Sequence, residues 1–299
     1  MKDRSIAALR LKLAERPDGA TAAIADLREE YDRAVEIFPL PDGVTCEPGS
    51  LGGVPGEWLR PEGADAARAL LYFHGGGYVL GSTRSHRHMV AALAKGAGVH
   101  AFSADYRLAP EHPFPAAVED GAAVWQGLLE SGIDPASAVI GGDSAGGGLT
   151  VATLVKARDD GLAMPAGGLC ISPWTDMTLE AGSYATKADS DPMVKQNQIE
   201  RWTGVYLGAD TDRRHPWASP LYADLEGLPP LLVQVGSEEV LLDDSVSLAE
   251  AARRAGVEVR LSVADEMIHV WHWFDRLLDR AKDGIDEATA FIRARTGPS

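Results

Sequence analysis

The chain has 299 residues, 45% of them hydrophobic and 24% charged, which suits one α/β domain with a smaller accessory part. Its formal net charge of −16 argues against binding to nucleic acid or to an anionic membrane surface. The two cysteines, Cys46 and Cys170, imply no disulfide framework. The N-terminal residues show neither a signal peptide nor a spanning segment, so we expect a cytoplasmic protein.

The first forty residues are predicted to be helical. Residues 1–16 have helical composition, and from Asp18 onwards apolar residues recur at helical spacing between charged ones. The stretch PLPDG (39–43) then ends the helical pattern. We therefore interpret residues 1–40 as helices added to a main domain over residues 41–299.

Strand-like and helix-like segments alternate through the rest of the chain. The predicted strands are 69–73, 99–106, 138–142, 167–172, 230–236 and 257–265. The predicted helices between them are 87–98, 116–132, 147–161 and 245–256. Continuous apolar strands separated by helices predict a mostly parallel sheet with helices on both faces. The polar region 176–220 fits no strand pattern, and with the N-terminal helices it could cover the carboxyl edge of the sheet.

Ser144 stands between a predicted strand and a predicted helix, in the sequence Gly142-Asp143-Ser144-Ala145-Gly146. G-x-S-x-G is typical of a sharp turn that exposes a nucleophilic serine, because small neighbours let the strand and helix approach. The stretch fits neither a G-x-G-x-x-G dinucleotide fingerprint nor a G-K-[ST] phosphate loop. The sequence HGGGY (74–78) also follows a strand, and its glycine N–H groups could stabilise negative charge on a carbonyl oxygen.

A serine nucleophile needs a histidine base, which in this chain order should follow it. Three histidines do so: His215, His269 and His272. His269 lies in a short loop after the strand 257–265 and is the preferred base. His272 is better explained as a packing or surface residue and His74 as a residue that orders the glycine loop.

The acid that orients the histidine is less certain from the residues alone. The strand 230–236 is followed by four candidates: Glu238, Glu239, Asp243 and Asp244. Asp243 and Asp244 also suit the N-cap of the next helix. The residues therefore leave this choice open.

Together, these segments resemble the bacterial hormone-sensitive-lipase-like carboxylesterases of the α/β-hydrolase fold. The resemblance covers most of the chain and rests on HGGGY, GDSAGGG and MIHVW, and on residues 105–120, 172–177, 191–194 and 218–244. It implies Ser144 as nucleophile and His269 as base. It also implies an oxyanion hole formed by the N–H groups of Gly76, Gly77 and Ala145.

The same resemblance indicates an acid and a cap. The family pattern D-P-L-x-D places the acid at Glu239, although this chain has Glu for Asp and Val240 for Pro; Glu238 is the alternative. The helical cap of the family corresponds to the N-terminal helices and an insertion near residues 178–216. Dimerisation through the edge strand near 257–264 is a further possibility that the family suggests.

The implied reaction is hydrolysis of a small-molecule ester through an acyl-enzyme, with no metal or cofactor. A capped pocket favours short acyl chains, so rates on p-nitrophenyl esters should peak between about C2 and C8. The residues that could line this pocket are Trp202, Tyr206, Trp217 and Leu221. The alternatives are a lactone hydrolase, an amidase or a deacetylase with the same residues, or a non-catalytic small-molecule receptor.

Overall fold

The computed structural model describes residues 4–13, 15 and 19–297. The β-strands are β1 (Val44–Leu51), β2 (Val54–Pro61), β3 (Asp65–Phe73), β4 (Val99–Ala104), β5 (Ala138–Asp143), β6 (Gly167–Ile171), β7 (Leu231–Gly236) and β8 (Val259–Ala264). The α-helices are α1 (Arg4–Leu13), α2 (Ile24–Asp32), α3 (Ala34–Ile37), α4 (Thr83–Ala97), α5 (Ala116–Glu130), α6 (Ala145–Asp159), α7 (Ser183–Thr186), α8 (Gln196–Leu207), α9 (Leu242–Arg254) and α10 (Asp279–Thr296).

The strands form one eight-stranded sheet in the order β1-β2-β4-β3-β5-β6-β7-β8. β1 and β2 pair antiparallel with each other, and β2 pairs antiparallel with β4. All other neighbours are parallel, which confirms the predicted mostly parallel sheet. The sequence did not predict β1 and β2, because prolines and glycines at positions 48, 49, 55 and 56 interrupt their apolar pattern.

Helices cover both faces of the sheet, as predicted. Adjacent residues of one strand point to opposite faces, so Phe73 packs in one core and Tyr72 in the other. The first core contains residues of α5, α6 and α9, and the second contains residues of α4 and α10. Because both faces are covered, β5, β6 and β7 are buried along their whole length, which explains their largely apolar sequences.

The N-terminal helices and the region 176–220 contact each other. Within 176–220 the described residues form α7, α8 and a 3₁₀ turn at Pro220–Tyr222, and no strand, as expected. Arg201 of α8 donates hydrogen bonds to the carbonyl oxygens of Gly19 (2.9 Å) and Ala22 (2.8 Å). The helix predicted from Asp18 begins at Ile24, and residues 1–3, 14 and 16–18 lie outside the described residues.

The predicted N-cap role of Asp243 and Asp244 is wrong. α9 has Leu241 at its N-cap, and no side chain makes a capping hydrogen bond there. Instead, Asp243 Oδ2 accepts the N–H of Ser183 (2.8 Å), and Asp244 Oδ2 accepts the N–H groups of Thr175 and Asp176 (both 2.9 Å). Both side chains therefore hold residues around the start of the 178–216 insertion against α9.

Candidate active site

Ser144 occupies the sharp turn between β5 and α6 and has a left-handed backbone, with φ of 54°. Its N–H donates to the carbonyl oxygen of Ile171 (2.8 Å), which fixes the turn to β6. The flanking glycines are required by close approach of the backbone. A Cβ on Gly146 would overlap the carbonyl oxygen of Phe73, and one on Gly142 would overlap the carbonyl oxygen of Gly146. The turn thus places Ser144 at the N-terminus of a helix, at the carboxyl edge of the sheet.

The glycine loop after β3 is tied to this turn by Asp143. Asp143 Oδ1 accepts hydrogen bonds from the Tyr72 hydroxyl (2.8 Å) and from the N–H of Gly75 (3.1 Å), and Oδ2 lies 3.2 Å from Nε2 of His86. Burial opposes ionisation of Asp143, but its interactions with His86 and Tyr72 lower its pKa below the ordinary value. A buried carboxylate therefore holds the glycine loop beside Ser144.

The N–H groups expected to form an oxyanion hole belong to Gly76, Gly77 and Ala145. Gly76 and Gly77 have positive φ angles of 120° and 66°, and both line the cavity that contains Ser144. Ala145 is the first residue of α6, where a helical N–H has no partner within the helix. Among the described residues, none accepts a hydrogen bond from these three N–H groups. They remain available to an oxygen of a bound molecule.

His269 and Glu239 form a buried pair at the ends of β8 and β7. His269 Nδ1 lies 2.8 Å from Glu239 Oε2, so Nδ1 donates to the carboxylate and Nε2 is left as the basic nitrogen. Burial alone would lower the pKa of His269, but the hydrogen bond and charge of Glu239, with the charges of Asp191 and Asp143, raise it. His269 lines the same cavity as Ser144.

Ser172, which sequence reasoning did not select, connects Glu239 to the loop that carries His269. Its hydroxyl donates to Glu239 Oε1 (2.8 Å) and accepts the N–H of Val270 (3.2 Å). Glu239 Oε1 also accepts the N–H of Gly236. Ser172 is fully buried and has a left-handed φ of 46°. The sequence offered only its membership of the SPWTDM stretch as a signal.

The other candidate residues lie outside this arrangement. Glu238 forms a partly exposed ion pair with Lys187 (3.4 Å), away from His269. His272 is buried in a 3₁₀ turn, where Nε2 contacts Gln234 Oε1 (3.1 Å) and burial lowers its pKa to about 3. His215 packs against Phe114 and Trp217.

His74 orders the glycine loop, as expected. Its Nδ1 donates to the carbonyl oxygen of Gly75 (2.8 Å), and its ring stacks on Tyr106 with centroids 4.4 Å apart. Burial, with a contribution from His86, lowers the pKa of His74 to about 3. This ring is therefore neutral and is not placed to exchange protons.

A small cavity of about 50 Å³ lies beside Ser144 and His269. Its walls include Tyr31, Met193, Val194, Ile199 and Trp202 from the N-terminal helices and the 178–216 insertion.

The other three residues expected to line the pocket pack elsewhere. Tyr206 stacks on Tyr78, with ring centroids 4.0 Å apart. Trp217 lies under the ammonium group of Lys156. Leu221 follows in the 3₁₀ turn after Trp217, and its N–H donates to the carbonyl oxygen of Thr175.

A larger cavity of about 670 Å³ lies next to this site. It lies between α1, α2 and residues 189–198, and it shares Tyr31, Leu80, Met193 and Gln198 with the small cavity. In the described part of the chain, no helix is both long and apolar enough to cross a membrane. The same residues contain no group of three or more His, Cys, Asp or Glu side chains placed to hold a metal ion.

Known proteins resemble the chain over nearly its whole length. Residues 70–273 match the alpha/beta hydrolase fold family. An acetyl-hydrolase of Streptomyces hygroscopicus is 47% identical over 275 residues, 90% of each chain, and an esterase of Acinetobacter venetianus is 35% identical over 89% of this chain and 87% of its own.

A solved structure of an esterase from the bacterial hormone-sensitive lipase family is 45% identical, with a TM-score of 0.93 over 99% of this chain and 98% of its own. Both the sheet topology and the sequence are therefore shared with this family. The chain belongs to the α/β-hydrolase fold family, among the hormone-sensitive-lipase-like esterases.

Proposed function

We propose that the protein is a serine carboxylesterase that hydrolyses short- to medium-chain acyl esters with Ser144 as nucleophile, His269 as base and Glu239 as acid. The observation that carries this proposal is the buried Glu239–His269 pair, 2.8 Å apart, in the cavity that contains Ser144. A hydroxyl is a weak nucleophile, and this pair supplies the oriented base that it needs.

Acylation begins when the Ser144 hydroxyl turns towards His269 Nε2. Its oxygen attacks the ester carbonyl carbon while Nε2 takes the proton, and Glu239 stabilises the imidazolium through Nδ1. The negative charge on the carbonyl oxygen is stabilised by the N–H groups of Gly76, Gly77 and Ala145. Collapse of the tetrahedral intermediate breaks the bond to the leaving alcohol, which receives the proton from Nε2.

Deacylation repeats these steps with water. Nε2 of His269 takes a proton from water as its oxygen attacks the acyl-enzyme carbonyl, and the same N–H groups stabilise the second tetrahedral intermediate. Breakdown of that intermediate returns the proton to the Ser144 oxygen and releases the carboxylic acid. The cycle consumes one ester and one water and regenerates the enzyme.

The walls of the cavity support a short acyl chain. Trp202 and Ile199 of α8 and Trp174 enclose the small space next to Ser144, which has the size of a few carbon atoms. We expect the rate on p-nitrophenyl esters to peak between about C2 and C8, since longer chains have to displace these side chains. A maximum at C16 would contradict this proposal.

The test compares p-nitrophenyl butyrate hydrolysis by the wild type and by Ser144→Ala, Glu239→Gln and Glu238→Gln, with folding checked by circular dichroism. Ser144→Ala should abolish turnover, and Glu239→Gln should lower kcat by about 10²-fold or more. Glu238→Gln is the matched control, because its carboxylate pairs with Lys187 and should leave kcat unchanged.

Other outcomes would redirect the proposal. A larger loss in Glu238→Gln than in Glu239→Gln would move the acid to Glu238. A folded wild type that is inactive on p-nitrophenyl esters but active on lactones, anilides or acetylated compounds would favour those alternatives. Binding without turnover would favour a receptor.

The proposal extends to the organisation of the chain. Residues 41–299 form the catalytic domain, which carries an insertion near residues 178–216. This insertion and residues 1–40 together form the cap, and the hydrogen bonds from Arg201 to Gly19 and Ala22 support that grouping. The partner is a small-molecule ester rather than nucleic acid or membrane, and the compartment is the cytoplasm. The edge strand β8, with Val263 47% exposed, is the candidate surface for a homodimer, which sedimentation analysis would test.

A further inference from the structure

Asp191 is a fully buried carboxylate in the 178–216 insertion, in the loop that precedes α8. Its two oxygens accept three backbone hydrogen bonds. Oδ1 accepts the N–H groups of Met193 (2.8 Å) and Val194 (3.0 Å), and Oδ2 accepts the N–H of Val240 (3.0 Å). The third bond joins residues 49 positions apart in sequence.

The three partners belong to two parts of the active site. Met193 and Val194 line the cavity that contains Ser144 and His269. Val240 directly follows Glu239, whose carboxylate holds His269. One side chain therefore connects a wall of the substrate cavity with the loop that carries the acid.

We propose that Asp191 is a positioning residue that connects the cavity wall at Met193 and Val194 to the loop of Glu239. The wall and the Glu239–His269 pair thereby keep fixed positions relative to each other. This inference rests on the proposed esterase function. Asp191 is separated from the reacting atoms by the residues that it positions, and it acts through their backbone N–H groups.

An ionised carboxylate suits all three hydrogen bonds, because both of its oxygens are acceptors. Burial raises the pKa of Asp191, and the charge of His269 and the N–H groups of Val240 and Val194 oppose that rise. An asparagine could accept the N–H groups of Met193 and Val194 through its oxygen, but its NH₂ group would then face the N–H of Val240. An alanine would leave three N–H groups without this acceptor in a buried site. The Asn variant is therefore the sharper test, since it retains the bonds within the loop and loses the bond to the acid loop.

The charge of Asp191 also acts on His269. Burial would lower the pKa of His269, but Glu239, Asp191 and Asp143 together raise it. Charged groups on the neighbouring described residues are Lys195, whose ammonium binds the Asp191 carbonyl oxygen, Arg10, whose guanidinium binds the Ser190 carbonyl oxygen, and Lys187, whose ammonium pairs with Glu238. Removal of the Asp191 charge should therefore lower the pKa of His269.

The experiment compares wild type, Asp191→Asn, Asp191→Ala and the control Asp243→Asn. Asp243 also anchors the insertion, through the N–H of Ser183, but it does not act on His269. The first measurement is the pH dependence of kcat and KM on p-nitrophenyl butyrate. The second is the pH dependence of inactivation by phenylmethanesulfonyl fluoride, which reports the nucleophilic serine without ester turnover. Circular dichroism and melting temperature monitor folding.

We expect Asp191→Asn to fold and to lose about tenfold in kcat/KM, with a rise in KM from the displaced wall. In both assays the acid limb of the pH profile of this variant, where the rate falls with falling pH, should move to lower pH by about 0.5–1 unit. Asp191→Ala should lose more kcat/KM than Asp191→Asn, and its acid limb should move in the same direction. Asp243→Asn should leave the acid limb at the wild-type position.

The outcomes separate this inference from the proposed function. If the wild type neither hydrolyses the ester nor reacts with the sulfonyl fluoride, the proposed function fails. If the wild type does both and folded Asp191→Asn keeps its kcat, KM and acid limb, the positioning role of Asp191 is refuted. A loss of activity that only follows a loss of folded protein, with an unchanged acid limb, would also refute it.

Discussion

The hydroxyl of Ser172 offers a quantitative test of how the acid is held. Replacement by alanine removes the hydrogen bond to the Glu239 carboxylate and the acceptor of the Val270 N–H. A hydrogen bond to a charged group contributes about 2 kcal/mol, and an unsatisfied buried N–H costs about 1 kcal/mol or more. We therefore expect Ser172→Ala to lower the free energy of unfolding by about 3 kcal/mol.

The same change should lower kcat more than it alters KM. Glu239 keeps its bonds to the Gly236 N–H and to His269, so the histidine is held less firmly but is not released. We expect kcat to fall about tenfold, which corresponds to about 1.4 kcal/mol of transition-state stabilisation. KM should stay near the wild-type value, because Ser172 is not among the residues that line the cavity.

A second variant separates the hydroxyl from the backbone. Ser172 has φ of 46°, a conformation that costs a non-glycine residue about 1 kcal/mol, so Ser172→Gly should be about 1 kcal/mol more stable than Ser172→Ala. Both variants lack the hydroxyl and should show the same kcat. The assays are chemical denaturation and p-nitrophenyl butyrate kinetics. Wild-type kcat in both variants would refute the positioning argument, and equal stability of the two would refute the backbone argument.

Three further predictions concern protonation and glycine. The acid limb of kcat/KM should lie above the ordinary histidine value of about 6.5, because His269 has a raised pKa and must be neutral to act; a limb below 6 would contradict this. Burial raises the pKa of Asp244 from 3.8 to about 8, so the wild type should lose stability relative to Asp244→Asn as the pH rises from about 4 to about 8; parallel melting curves across that range would refute this. A Cβ at Gly204 in α8 would meet no neighbouring atom, so Gly204→Ala should raise the free energy of unfolding by about 1 kcal/mol. A Cβ at Gly146 would overlap the carbonyl oxygen of Phe73, so Gly146→Ala should abolish activity and lower the free energy of unfolding by about 3 kcal/mol. Equal melting temperatures of the two variants would contradict both expectations.

The fold could be predicted from sequence wherever the strands are buried on both faces. β5, β6 and β7 have largely apolar sequences, and α6, which follows β5, is buried along most of its length. β1 and β2 could not be predicted in the same way, because they are partly exposed and contain proline and glycine. Their pairing depends on neighbours distant in sequence, which no local pattern reveals.

The site shows the same division between local and long-range signals. Ser144 carries a local signature, because the sharp turn itself demands glycine at positions 142 and 146. Ser172 and Asp191 lie in stretches that carry the family resemblance, but no local pattern gives their roles, since their contacts reach residues 98 and 49 positions away. The choice of Glu239 over Glu238 likewise depends on which of the two side chains faces His269. These residues are adjacent and identical in type, so composition and spacing do not show which one points towards the histidine.

The hydrogen bonds between the N-terminal segment and the 178–216 insertion have a consequence for how the sequence of these segments can vary. Arg201 binds the carbonyl oxygens of Gly19 and Ala22, and Arg10 binds that of Ser190. Every amino acid supplies a carbonyl oxygen, so these hydrogen bonds by themselves restrict only the arginine positions. Gly19 is restricted separately, because a Cβ there would overlap the side chain of Gln198. At Ala22 and Ser190, a change of side chain therefore leaves the acceptor of each hydrogen bond in place.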